Sequence, residues 1–145
     1  MLLTCRATPD LRAVRRVMFD HVQVRVRDLA ASRGFYDAVM RVLGHGLVFE
    51  CEGVVIGYGT DPHNMFEIRQ SGPDSALSAA VHVAFVASDE ATVNEFHEVA
   101  LLHGGTCNGD PGLRPHYEDG YYAAFVLDPD GHNVEAVFSL LSNRP

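Results

Sequence analysis

Two stretches of this chain decide its fold: residues 21–46, HVQVRVRDLAASRGFYDAVMRVLGHG, and residues 82–107, HVAFVASDEATVNEFHEVALLHGGTC. They superpose without a gap at an offset of 61, so that His21 falls on His82, Val22 on Val83, Asp28 on Asp89, Phe35 on Phe96, Met40 on Leu101 and Gly44 on Gly105. Such internal self-similarity marks one supersecondary unit used twice. Each copy opens with the period-two pattern of a strand, passes an Asp suited to cap a helix, shows apolar residues at three-to-four spacing, and ends in glycine. Helices are expected over residues 30–43 and 90–103, capped near Asp28 and by Ser88 or Asp89.

Working outward, LVFE (47–50), VVIGYG (54–59) and MFEIRQ (65–70) read as strands of the first copy. The second copy has a weak strand near Thr106, then YYAAFVL (121–127) and NVEAVF (133–138), the last two joined by the turn DPDG. Each copy is therefore a βαβββ unit. The expected fold is α+β: two tandem modules, about 18–70 and 80–140, forming a cupped mixed β-sheet with helices on its outer face. Between them QSGPDSALSA, rich in Ser, Gly and Pro, should run over the surface. Residues 1–16, with four Arg against one Asp and no continuous apolar run, read as an N-terminal extension to a single domain spanning 17–145.

The bulk properties narrow the function. The 145 residues are 47% hydrophobic and 21% charged, the globular average, and no stretch of 18 apolar residues offers a membrane span. All 11 basic residues are Arg, and 19 acidic residues bring the formal charge to −8, which repels phosphate backbones and argues against nucleic-acid binding. The absence of Lys removes Schiff-base chemistry and the Walker-type phosphate loop. Three widely spaced cysteines, Cys5, Cys51 and Cys107, fit free thiols in a reducing cytoplasm rather than a disulfide scaffold. Neither Cys51 nor Cys107 has a His at useful spacing, so a Cys nucleophile is not expected.

In each module the first strand carries a His and the last a Glu: His21 and Glu67, then His82 and Glu135. By alternation His21 shares a face with Gln23 and Arg25, while Val22, Val24 and Val26 point toward the helix. The same parity sets His82 against Val81, Val83 and Phe85, Glu67 against Phe66 and Ile68, and Glu135 against Val134 and Ala136. All four polar residues thus enter the concave side. A lone His in a strand is usually an ordinary hydrogen-bonded side chain, but four ligand types at matched places in two repeats point to a shared cation. Two imidazoles and two carboxylates suit Zn, Ni, Co, Mn or Fe(II), with coordination positions left for water or substrate.

The motifs FDHVQVRVRDLAASRGFYD and GYYAAFVLDPDGHNVEAVF resemble the vicinal-oxygen-chelate superfamily, which includes glyoxalase I, bleomycin-resistance proteins and extradiol dioxygenases. The repeat covers about residues 18–140. The resemblance implies a metal held from the first and last strands of each module, here by His21, Glu67, His82 and Glu135. It further implies a homodimer, whose site could draw one His–Glu pair from each chain, with Glu67 and Glu135 as candidate catalytic bases. Glyoxalase I has the same His, Glu, His, Glu set; dioxygenases generally use two His and the final Glu, and bleomycin-binding members lack metal.

That likeness implies a lactoylglutathione-lyase-type isomerase or lyase, acting on a small α-hydroxy carbonyl or thiol adduct through an enediolate stabilised by the metal. The alternatives are an Fe(II)-dependent dioxygenase cleaving a catechol-like ring and a non-catalytic drug-binding protein. Arg25 matches a family Arg that binds a glutathione carboxylate, whereas the family's Asn four residues past the first Glu is Ser71 here. Arg69 should share the face of Glu67, where it could hold an anionic substrate or neutralise the acidic site, and His116 and Tyr117 lie in a loop able to cover the cup. His132 and Asn133, beside the DPDG turn, read as structural, with the His132 ring in water. His45, His63, His97 and His103 read as surface residues.

Overall fold

A computed structural model describes residues 18–140. The expected extension at residues 1–16 lies outside them. The element order is β1 (His21–Val26), α1 (Leu29–Val42), β2 (Gly46–Cys51), β3 (Val55–Asp61), β4 (Asn64–Gln70), then β5 (His82–Val86), α2 (Glu90–Leu102), β6 (Thr106–Leu113), β7 (Tyr122–Leu127) and β8 (Asn133–Phe138). The two βαβββ modules are present as expected. Each builds a four-stranded sheet, ordered β1-β4-β3-β2 and β5-β8-β7-β6, in which the first and last strands run parallel and the rest antiparallel.

Local chemistry explains the helix ends. The Asp28 carboxylate accepts from the amides of Ala30 and Ala31, and Asp89 accepts from Thr92, satisfying donors that have no partner inside the helix. Beyond the helices Gly44 and Gly104 take φ of +80° and +93°, a region costly for any residue with a Cβ. The second helix is one residue shorter than the first, so Gly104, not Gly105, takes the role of Gly44. Strand β6 is longer than its sequence indicates: it reaches Leu113 by way of bulges between Cys107 and Gly109 and between Gly109 and Gly112.

The alternation places Val24, Val26, Phe66 and Ile68 under α1 and Val134, Ala136, Ala124 and Val126 under α2, all buried in one core that spans both modules. Phe35 and Phe96, the matched aromatics of the repeat, are both fully buried; each contributes about 2–3 kcal/mol by leaving water. Phe66 of the first module and Phe85 of the second meet edge to face with centroids 5.2 Å apart. Among the described residues no helix is long and apolar enough to cross a membrane.

A polar junction ties the modules together, and it corrects the sequence reading of His132. That ring is buried rather than in water. Its Nδ1 lies 3.0 Å from Asp128 Oδ2 and its Nε2 3.0 Å from the Ser78 carbonyl. The Tyr36 hydroxyl of α1 donates to the same Asp128 oxygen at 2.8 Å, and burial together with Asp128 raises the Tyr36 pKa well above the ordinary phenol value. Two side chains and the backbone amides of Asp130 and His132 converge on one buried carboxylate, because an unpaired charge there would be costly. The linker is held at the same place, since Ser78 Oγ accepts from the Arg25 amide.

Candidate functional site

Of the four metal-type residues, His82 and Glu135 meet directly, while His21 and Glu67 share one sheet face with no bond between them among the described residues. In the second module His82 Nε2 lies 3.0 Å from Glu135 Oε2, and the Tyr121 hydroxyl donates to Glu135 Oε1 at 2.6 Å. Asn133 Nδ2 lies 2.6 Å from His82 Nδ1. His82 thus has Nδ1 held by a neighbour and Nε2 directed at the carboxylate. The Glu135 side chain is 3% exposed and that of His82 is 48% exposed, so the pair sits at the floor and lip of an open hollow. Burial, then the bond to Glu135, pushes the Tyr121 phenol above its usual range. It remains a hydrogen-bond donor throughout the physiological range.

In the first module Glu67 is buried and accepts from Gln23 Nε2 at 2.7 Å, Gln23 and Glu67 being register partners across β1 and β4. His21 lies on the same strand face, where the Asp20 bond and then the Glu67 charge raise its pKa above 6.5. Its Nδ1 is 2.8 Å from Asp20 Oδ1, and among the described residues no hydrogen bond engages Nε2. A carboxylate on one ring nitrogen fixes the tautomer and makes the other nitrogen the better ligand. Asp20 also meets His63 at 2.9 Å, and these two contacts hold its own pKa below the ordinary value. Gly57 stands opposite Glu67, where a Cβ would come within 2.8 Å of Met65 Sδ.

Within one chain the two pairs stay apart. Among the described residues, three or more His, Cys, Asp or Glu donor atoms come within 4.8 Å of one another only at His97, Cys107 and Asp110. That location also corrects two sequence readings: His97 is buried rather than a surface residue, and Cys107 does have a His beside it, at 3.2 Å. His63 is exposed, as expected, and contacts Asp20.

The substrate-type residues divide similarly. Arg25 and Arg69 are register partners on the Glu67 face, both half-buried, and no ion pair engages either among the described residues. Tyr117 joins His82, Asn108, Arg114, Phe125 and Asn133 around a hollow of about 480 Å³. His116 packs on Tyr117 with centroids 4.4 Å apart, and Tyr117 meets Tyr121 edge to face at 5.3 Å. Arg114 lies over the Phe125 ring at 5.5 Å.

Sequence reasoning missed Gln23, Arg114 and Tyr121. Tyr121 was recoverable, because counting back by twos from Phe125, the register partner of Glu135, leads to it. His82 also borders an apolar groove of about 590 Å³ between the modules, lined by Val22, Met40, Phe66, Val83 and Phe85 among others.

The fold has many solved counterparts. A glyoxalase/bleomycin resistance protein from Albidiferax ferrireducens T118 is 31% identical, with a TM-score of 0.70 over 83% of this chain and 98% of its own. A glyoxalase-related enzyme from Fulvimarina pelagi is 22% identical at a TM-score of 0.67, covering 87% of this chain and 89% of that one. A lactoylglutathione lyase from Agrobacterium tumefaciens is 19% identical at 0.62, covering 86% and 95%, a likeness of fold alone. No curated protein matches the sequence. The family model for the Glyoxalase/Bleomycin resistance protein/Dioxygenase superfamily matches residues 18–136. With its duplicated βαβββ modules and parallel outer strands, the chain belongs to that superfamily.

Proposed function

We propose that this protein is a metal-dependent isomerase or lyase of the glyoxalase type, acting on a small α-hydroxy carbonyl or thiol adduct as a homodimer. The observation that carries this reading is the His82–Glu135 pair. Two donor atoms 3.0 Å apart match neighbouring ligands on one ion, since bonds of about 2.1 Å at right angles separate them by about 3.0 Å. The donor set fits a divalent Zn, Ni, Co, Mn or Fe ion held by His21, Glu67, His82 and Glu135. Such an ion supplies Lewis acidity, polarising a substrate carbonyl so that the adjacent C–H becomes acidic.

The chain's own groups do the rest. Glu135 takes the proton from one carbon and returns it to the next, with Tyr121 steadying the carboxylate through Oε1. Glu67, held by Gln23, is the alternative base. Arg25 and Arg69 are free to bind an anionic substituent, and Tyr117 with His116 covers the hollow.

A second copy unites the pairs. Strands β1 and β5 are both sheet edges, and Met18, Phe19, Val22 and Val86 along them are exposed apolar residues, a combination that invites pairing with another chain. Placing β1 of one copy beside β5 of the other sets His21 and Glu67 against the partner's pair, twice by symmetry. Cys51 and Cys107, both free and exposed, fit residence in the cytoplasm.

The test is elemental analysis and light scattering on the purified protein, then a screen of methylglyoxal–thiol adducts and catechols with oxygen uptake monitored. Dimer, bound metal and isomerisation without oxygen consumption are expected. A monomer, or a metal-loaded dimer that consumes oxygen on catechols, would overturn the reading.

A further inference from the structure

We propose a second metal site, for a borderline-soft divalent ion of the zinc class, built by His97, Cys107 and Asp110 where α2 meets β6. His97 Nε2 is 3.2 Å from Cys107 Sγ, Cys107 Sγ is 3.3 Å from Asp110 Oδ1, and His97 Nε2 is 4.0 Å from the same Asp110 oxygen. Around a tetrahedral zinc, with bonds of about 2.3 Å to sulfur and 2.0–2.1 Å to nitrogen and oxygen, neighbouring donors stand about 3.3–3.6 Å apart. The observed triangle brackets those values, so modest side-chain shifts close it on one ion.

Backbone irregularity makes the triangle. In a regular strand residues three apart point to opposite faces, and Cys107 and Asp110 would be separated by the sheet. The bulges after Cys107 and around Gly109 break that alternation and turn both side chains toward His97. His97 is anchored, its side chain only 11% exposed, whereas Asp110 is 89% exposed and free to swing onto an ion. The donors differ in kind from those of the other site: one thiolate, one imidazole and one carboxylate select zinc, cobalt(II) or a similar ion over calcium and magnesium. The exposed position of Cys107 and Asp110 leaves the fourth ligand place open to water.

The two sites lie on opposite faces of the same sheet. Asn108, the residue after Cys107, points the other way and bonds Asn133, which holds His82. Binding at one is therefore separable from binding at the other by mutation.

The experiment is a cobalt(II) titration of the full-length, reduced, chelator-treated protein, read by absorbance. A thiolate-to-cobalt charge-transfer band in the near ultraviolet, displaced by zinc and saturating by two ions per chain, one of them at the His82–Glu135 centre, is expected. Cys107→Ser and His97→Gln should abolish the band, and Asp110→Asn, at a side chain too exposed to matter for folding, should weaken binding on the order of tenfold or more. Cys5→Ser, Cys51→Ser and Glu135→Gln should keep it. Absence of any thiolate band in the wild type, or its persistence in Cys107→Ser, would overturn the proposal. Since Glu135→Gln disables only the other site, loss of catalysis with the band intact leaves this one standing.

Discussion

His82 and Glu135 face each other across adjacent parallel strands with Nε2 and Oε2 3.0 Å apart, the imidazole half in solvent and the carboxylate almost wholly out of it. The proposed ion would sit at the outer side of that contact. His21 should be its equivalent from the other module. Changing either His to Ala is expected to lower metal affinity at the hollow by ~10–100-fold or more, and changing both should leave little binding there. The fold should survive, because the two side chains are 49% and 48% exposed. Metal content and thermal midpoint, measured together in a Cys107→Ser background, check this: retained metal with a lowered midpoint would count against the ligand role.

Tyr121 and Glu135 should separate in kinetics. Glu135→Gln keeps the shape and the Tyr121 contact but removes the base, and kcat should fall by ~10²–10⁴-fold. Tyr121→Phe removes only the hydroxyl that steadies the carboxylate. Metal should stay bound while kcat drops about tenfold, and the acid limb of the pH–rate profile should move. An unchanged profile in Tyr121→Phe would deny it that role.

His132→Ala should be a stability mutant. It removes one bond from the buried Asp128 carboxylate and leaves the Ser78 carbonyl without its ring partner, at a cost of about 1–3 kcal/mol. Tyr36→Phe removes the other bond to the same oxygen and should cost about 1–2 kcal/mol. Since both act on Asp128, the double mutant should depart from additivity in urea unfolding; simple additivity would refute the shared-carboxylate account.

Asp89 gives a pH dependence. The Thr92 backbone amide, then its side chain, hold the Asp89 pKa below 3.8 in the folded chain. A depressed carboxyl pKa stabilises the fold above the unfolded value, and that contribution is lost as pH falls through the folded value. Asp89→Ala should therefore lower the thermal midpoint by a few degrees at neutral pH, the gap narrowing below about pH 4. A gap constant down to strong acid would contradict it.

The modules, the helices and the faces of the four ligand-type residues were legible because each follows a local period, two for strands and about 3.6 for helices. What escaped depends on chain brought from far away or on broken periods. His132 sits beside a polar turn, and only Tyr36 and Ser78, more than fifty residues distant in sequence, make its position an interior one. His97 and Cys107 become neighbours where β6 bulges, and a bulge leaves no periodic trace. The separation of the two His–Glu pairs followed from the family resemblance and not from strand parity, which sets a side chain's face but not the placement of one sheet beside the other.

The two Asp–Pro turns, 61–62 and 128–129, are the same device in the two modules with opposite surroundings. Asp61 is exposed and accepts from its near neighbours, the Thr60 hydroxyl and the His63 amide, whereas Asp128 is buried and grips Tyr36 of the other module. The duplication is thus symmetric in shape and lopsided in wiring. In the proposed dimer each protomer serves two centres, one with each module, and the grip at Asp128 works as a spacer gauge between them. A change there would alter no ligand and touch no substrate, yet it would misalign both centres at once.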